Sequence, residues 1–200
     1  MALGTNPVFL DSAIWPEIQQ TQAKGGGNQV SPLYPMMASI NFYMQPQTRS
    51  NWCWAATAAS TSQYYLPNST WTQCGVANAA LPRTDCCATP FPGACNIPWY
   101  LDTALGVTGN FVSTTGQVSD ATVFAELQAG RAVGARVAWS GGGAHFVVIW
   151  GYSDVVHTKR FTIGDPVYGD NAIPPDFFRN GYYQGSGTWT DTYFTQAPAP

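Results

Sequence analysis

Charge is the scarcest property of this sequence. Asp, Glu, Lys and Arg make up 10% of its 200 residues, against roughly 25% in an average soluble protein. The formal net charge is −3 and no cluster of Lys or Arg occurs, which argues against nucleic acid and anionic membrane surfaces as partners. Long apolar runs are missing as well, and nothing approaches the roughly 20 residues of a membrane span. The opening Met1-Ala2-Leu3-Gly4-Thr5-Asn6-Pro7 lacks the charged and apolar regions of a signal peptide. A removed signal, another export route and a cytoplasmic protein are the three readings of that lack. Histidine occurs only twice, at His145 and His157, so imidazole chemistry has two addresses. Internal repeats are absent.

What is present supports a folded domain. Hydrophobic residues account for 45% and aromatics for 14%, and the length suits one domain with a two-layer core. Thr, Ser, Asn, Gln and Gly supply most of the polarity, an extracellular style of surface.

There are five cysteines, an odd number that suggests pairs plus one free thiol. Cys74, Cys86, Cys87 and Cys95 fall within one short segment and Cys53 stands apart. We expect two disulfides among the four and a free Cys53. A bridge between the neighbours Cys86 and Cys87 is disfavoured by the usual separation of bridged cysteines. That leaves 74–86 with 87–95, or 74–87 with 86–95. A zinc site is the alternative, but neither a Cys-x-x-Cys pair nor a nearby His supports it. Disulfides in turn point to an oxidising, secreted setting.

Residues 1–37 are rich in Pro, Gly and Gln and read as an irregular leader or a pro-segment. Residues 38–195 read as the catalytic domain, mainly helical and disulfide-containing over 38–130 and mainly β over 131–195. Residues 196–200 read as a disordered tail. The Ala-rich stretch Cys53–Leu66 predicts a helix capped by Ser50 or Asn51 and stopped by Pro67. Shorter helices are expected over Gly75–Leu81, Pro98–Leu105 and Ala121–Ala129, the last capped by Ser119 or Asp120. Strands are expected over Ala132–Trp139, His145–Tyr152, Arg160–Gly164 and Gly187–Phe194. Helices first and strands second predict an α+β fold with an antiparallel sheet. Asn68-Ser69-Thr70 matches a glycosylation sequon, a pattern too short to carry weight.

Four positions carry chemistry. A cysteine thiolate is the nucleophile of thiol chemistry, and an ordinary thiol with pKa near about 8.5 is mostly protonated at neutral pH. A helix start offers unpaired N–H groups and partial positive charge, so Cys53 stands where a thiolate is stabilised. The plain alternative is a buried structural cysteine. His145 opens an apolar strand after Gly141-Gly142-Gly143, a loop that leaves space beside the ring. Asp165 ends a strand before Pro166, where an ordinary turn residue is the bland reading. If residues 153–157 form the loop of a hairpin, Tyr152 opposes Thr158 and His145 opposes Asp165, within reach of a hydrogen bond. Asp154 lies about 30 Å along the same strand from His145 and is set aside. Gln47, six residues before Cys53, offers a side-chain amide to an oxyanion beside the Cys53 N–H; Gln45 is equally polar.

Nucleophile, base, orienting acid and oxyanion donor thus follow in a consistent order. Gln47, Cys53-Trp54-Ala55 and their spacing resemble the papain superfamily signature. The core Asn51-Trp52-Cys53-Trp54-Ala55-Ala56 is similar to the papain-like effector proteases of plant-pathogenic bacteria. So is Ala144-His145-Phe146-Val147-Val148-Ile149-Trp150-Gly151-Tyr152 followed by Ile163-Gly164-Asp165-Pro166, a half that bacteriocin-processing peptidases share. The resemblance covers roughly residues 40–170. It implies a papain-like fold and a Cys53–His145–Asp165 triad with Gln47 at the oxyanion hole. It also implies a monomeric cysteine endopeptidase acting on protein or peptide, with no cofactor and no metal. Delivery as a secreted bacterial effector follows from the same likeness. An acyltransferase on the same fold and an inactive binding module are the rival functions.

Overall fold

Ala55, Ala56, Ala58 and Ala59 give helix α1, Cys53–Tyr65, a slim surface, and every residue from Cys53 to Ser62 is buried. Small side chains let neighbouring elements approach a helix on all sides. The structure, a computed structural model, describes residues 36–199. After strand β1 (Met36–Ser39) and α1 come α2 (Gln73–Ala80), a short 3-10 turn at Gly93–Cys95, α3 (Leu101–Val107) and β2 (Phe111–Thr115). Then follow α4 (Asp120–Gln128), β3 (Val133–Trp139), β4 (Ala144–Val155), β5 (Thr158–Gly164), β6 (Asn171–Ile173), α5 (Pro175–Gly185) and β7 (Gly187–Thr195).

The strands form one antiparallel sheet in the order β2-β7-β3-β4-β5-β6, and β1 pairs with the outer half of β4. Two cores meet on this sheet. One joins the sheet to α4 and α5 through Val123, Leu127, Val147, Ile149, Phe161 and Phe178. The other packs α1, α2 and α3 against Phe146 and Tyr193. This is the expected α+β arrangement. No helix among the described residues is long and apolar enough to cross a membrane.

Several local expectations change. Helix α1 starts at Cys53 with Trp52 as its cap residue and no side-chain cap bond. The expected caps are used elsewhere: Asn51 and Ser50 both bond to Asn96. Ser119 does cap α4, accepting from the Thr122 N–H at 3.1 Å. Strands β1, β2 and β6 and helix α5 were not anticipated; α5 leaves helical geometry from Gly181 to Gln184. The expected leader lies outside the described residues except for Met36 and Met37, which belong to β1. Residues 196–199 carry no helix or strand, yet Gln196 exchanges two hydrogen bonds with Asn110.

The β4–β5 hairpin is tighter than expected. Val155 opposes Thr158, so the turn is the two residues Val156 and His157 rather than 153–157. Both have positive φ, 49° and 62°, the backbone that suits a two-residue hairpin turn. The register therefore does not set His145 opposite Asp165. With an unbroken ladder Asp165 would fall opposite Val148, on the other face of β4 from His145. A bulge prevents this: Ile149 opposes Ile163 and Gly151 opposes Thr162, leaving Trp150 as the extra residue. One step beyond the last pair, Val148 with Gly164, Asp165 lies opposite Val147. That makes it a same-face diagonal neighbour of His145.

Candidate active site

Three elements converge on one cleft of about 830 Å³, lined by Cys53 from the start of α1, His145 from β4 and Gln47 from the preceding loop. Cys53 is the free cysteine and is 9% exposed. No acidic residue lies in the first turn of α1, so no side chain at the helix start competes for its first N–H groups. Thr57 ties α1 to β4 through the Phe146 carbonyl at 3.5 Å.

A second set of bonds fixes the helix start. Trp52 Nε1 donates to the Cys95 carbonyl at 2.7 Å and Trp54 Nε1 to the Ile97 carbonyl at 3.0 Å. Between them, Asn96 Oδ1 accepts from the Asn51 N–H at 3.0 Å, and the Asn96 carbonyl accepts from Asn51 Nδ2 at 2.8 Å. The segment 95–97 is thus laced to the residues that flank Cys53. Cys95 is itself bridged to Cys86, and Cys74 to Cys87. This is one of the two pairings left open by the sequence.

His145 is 5% exposed. Its Nε2 meets Asp165 Oδ1 at 2.8 Å, and the other ring nitrogen is left free of Asp165; the ring and Cys53 line the same cleft. Burial alone would lower the imidazole pKa. The bond to Asp165 and the influence of the neighbouring Asp165 and Cys53 outweigh it and raise the value from 6.5 to about 9. Asp165 is 2% exposed. Burial pushes its carboxyl up, but His145, the Tyr182 hydroxyl and the Tyr168 N–H hold it below the ordinary range. Its Oδ1 also accepts from the Val167 and Tyr168 N–H groups at 2.7 and 3.0 Å, and its Oδ2 from the Tyr182 hydroxyl at 2.6 Å.

Gln47 lies at the cleft with its carboxamide engaged. Nε2 donates to the Arg49 and Ser50 carbonyls, each at 2.9 Å, while Oε1 is buried without a partner. Its N–H bonds the Pro166 carbonyl at 2.9 Å, which ties this loop to the Asp165 turn. Gln45 is spent on Gln63 at 3.0 Å. Asp154 pairs with Lys159 near the hairpin tip, away from the cleft.

Two residues at the site were not anticipated. Trp139 stacks on His145 with centroids 5.9 Å apart and rings 21° from parallel. Tyr182 lies against Trp139 at 6.5 Å and is 3% exposed; burial and the Asp165 charge raise its hydroxyl pKa. Trp139 was within reach of the sequence. It ends one expected strand where His145 begins the next, so a hairpin sets the two side by side. Tyr182 carries no such signal, because it sits in a non-helical turn of the aromatic-rich tail.

The fold is that of a C39-like peptidase. The chain belongs to the peptidase C39-like family, whose profile matches residues 38–191, and in kind it is a cysteine peptidase. A solved C39-like peptidase from Bacillus anthracis is 14% identical, with a TM-score of 0.55 over 82% of this chain and 99% of that one. Two more distant structures are a double glycine motif protease from an AMS/PCAT transporter, solved with its leader peptide, and procathepsin L 3 of Tenebrio molitor. The first is 18% identical with TM-score 0.44 over 80% of this chain and 95% of its own, the second 8% with 0.46 over 84% and 72%. The fold likeness rests on the Bacillus protein. No curated protein sequence matches the chain.

Proposed function

We propose that this chain is a cysteine endopeptidase whose nucleophile is Cys53, with His145 as base and Asp165 as its orienting acid. The observation that carries the reading is the buried His145 ring, bonded to Asp165 through one nitrogen and sharing the cleft with the free thiol of Cys53. Its raised pKa keeps the imidazolium present at neutral pH, the partner a thiolate needs. The Cys53 thiolate attacks the peptide carbonyl, and His145 passes its proton to the leaving amine. Water, deprotonated by His145, then hydrolyses the Cys53 thioester. The Cys53 N–H is the first donor to the oxyanion. Gln47 is the second, once one of its N–H groups leaves its carbonyl partner. Losing one such donor costs on the order of 3 kcal/mol in the barrier.

The two disulfides support a working life outside a reducing cytosol. The Asn51–Ala56 motif supports kinship with secreted bacterial effector proteases. In the same reading residues 38–195 are the catalytic domain and the chain before them is a pro-segment. Identical N-termini in wild type and Cys53→Ala would end that last idea.

The test is mass spectrometry of peptides from a denatured proteome after exposure to wild type or Cys53→Ala, with a primary amine present. New termini that depend on Cys53 are expected. Amine adducts without hydrolysis would make the enzyme an acyltransferase instead. No Cys53-dependent product would make it a binding module.

A further inference from the structure

Arg136 on β3 is directly opposite Phe146 on β4, the residue that follows His145. It lines the same cleft as Cys53, and its side chain is 34% exposed. Nη1 donates to Thr190 Oγ1 at 2.8 Å and, at a longer 3.3 Å, to Asp191 Oδ2. No bond among the described residues engages Nε or Nη2. Asp191 itself does not line the cleft, and its Oδ2 also accepts from the Thr190 hydroxyl at 2.7 Å. The guanidinium is thus anchored at one corner, with the rest of its donor fork uncommitted.

The surroundings sharpen this. Among the described residues no Asp or Glu lines the cleft. The groups there able to carry positive charge are Arg136 and His145, and His145 is committed to Asp165. Phe146, opposite Arg136 on β4, and Tyr193 and Tyr100 are among the apolar and aromatic residues that line the cleft with it. Among the described residues Arg136 is therefore the one cleft-lining cation outside the Cys53–His145–Asp165 group, and its ion pair with Asp191 is made through Nη1 alone. A charged partner held against apolar surface is worth more than the same pair in water.

We propose that Arg136 is a specificity-determining residue that selects an acidic side chain of the peptide substrate near the scissile bond. The inference rests on the peptidase reading above. Opposed residues of neighbouring strands have Cβ atoms about 5 Å apart, and an extended substrate advances about 3.3 Å per residue. The selected Asp or Glu accordingly falls within about three residues of the cut.

The experiment digests a denatured-proteome peptide library with wild type, Cys53→Ala, Arg136→Gln, Arg136→Lys and Arg136→Glu, and reads the residues beside each cut. Wild type is expected to enrich Asp and Glu over Asn and Gln at one position by about tenfold, the effect of one charge-assisted hydrogen bond. Arg136→Lys should keep the enrichment, Arg136→Gln should bring it near one, and Arg136→Glu should turn it toward Lys and Arg. Wild-type cuts without acidic enrichment, or equal enrichment in Arg136→Gln, overturn the inference and leave the peptidase standing. Absence of any Cys53-dependent cut overturns both.

Discussion

At His145 burial and electrostatics oppose each other, and the resulting sign can be read in solution. The folded pKa of about 9 lies above the ordinary 6.5. Below pH 6.5 the ring is protonated whether the chain is folded or not, and its contribution to stability is fully present. As pH rises from 6.5 to 9 the unfolded chain sheds the proton while the folded one keeps it, so that contribution is lost. The melting temperature of wild type should fall across this window, and His145→Gln should remove that part of the fall. Tyr182 acts on the same pair. Tyr182→Phe removes the donor to Asp165 Oδ2, which should cost about 1–3 kcal/mol of stability by denaturant titration. It should lower kcat several-fold and leave KM near wild type. At this scale the sequence showed Cys53, His145 and Asp165 as candidates because each stands at the edge of a patterned element, and Gln47 by its spacing six residues before Cys53. It could not show Tyr182, which reaches Asp165 from a turn with no pattern.

Two elements hold the geometry together. The first is the β4 bulge, whose extra residue gives Asp165 the same parity as His145. Gly151 belongs to it, because a Cβ there would lie 2.7 Å from Thr162 Oγ1 and 2.9 Å from Thr162 Cβ. Gly151→Ala should destabilise by about 1–3 kcal/mol and depress kcat/KM, and adding Thr162→Gly should recover part of both. The second is the 95–97 segment that laces the start of α1. Loop entropy would favour the 74–87 bridge slightly, since it spans 13 residues against 9 for 86–95. Activity should follow the other order. Cys86→Ser with Cys95→Ser should lower kcat/KM at least about tenfold, and Cys74→Ser with Cys87→Ser much less, as steady-state assays will show. The hairpin strands were legible from the apolar run Phe146–Trp150. Its turn was not, because Val156-His157 lacks the Asn or Gly that marks a two-residue hairpin. The missed turn moved the register and hid the bulge that corrects it.

On the scale of the molecule, the order of helices and strands was legible because burial leaves strong patterns. Ala55–Ala59 marks a helix enclosed on all sides, and Val147–Ile149 a strand covered on both faces. β1, β2 and β6 escaped notice as short strands of three to five residues, two of them mostly exposed. The cleft arises where the helical layer meets the sheet, and only folding sets Arg136, Trp139 and Tyr182 around the Cys–His pair. The central claim is that His145 makes Cys53 a reactive nucleophile. Intact-mass spectrometry after treatment with a peptidyl vinyl sulfone at neutral pH tests it most directly. Wild type should gain one adduct, mapped to Cys53, and His145→Ala should gain it far more slowly. An unlabelled wild type, or equal labelling rates in the two proteins, would contradict the account.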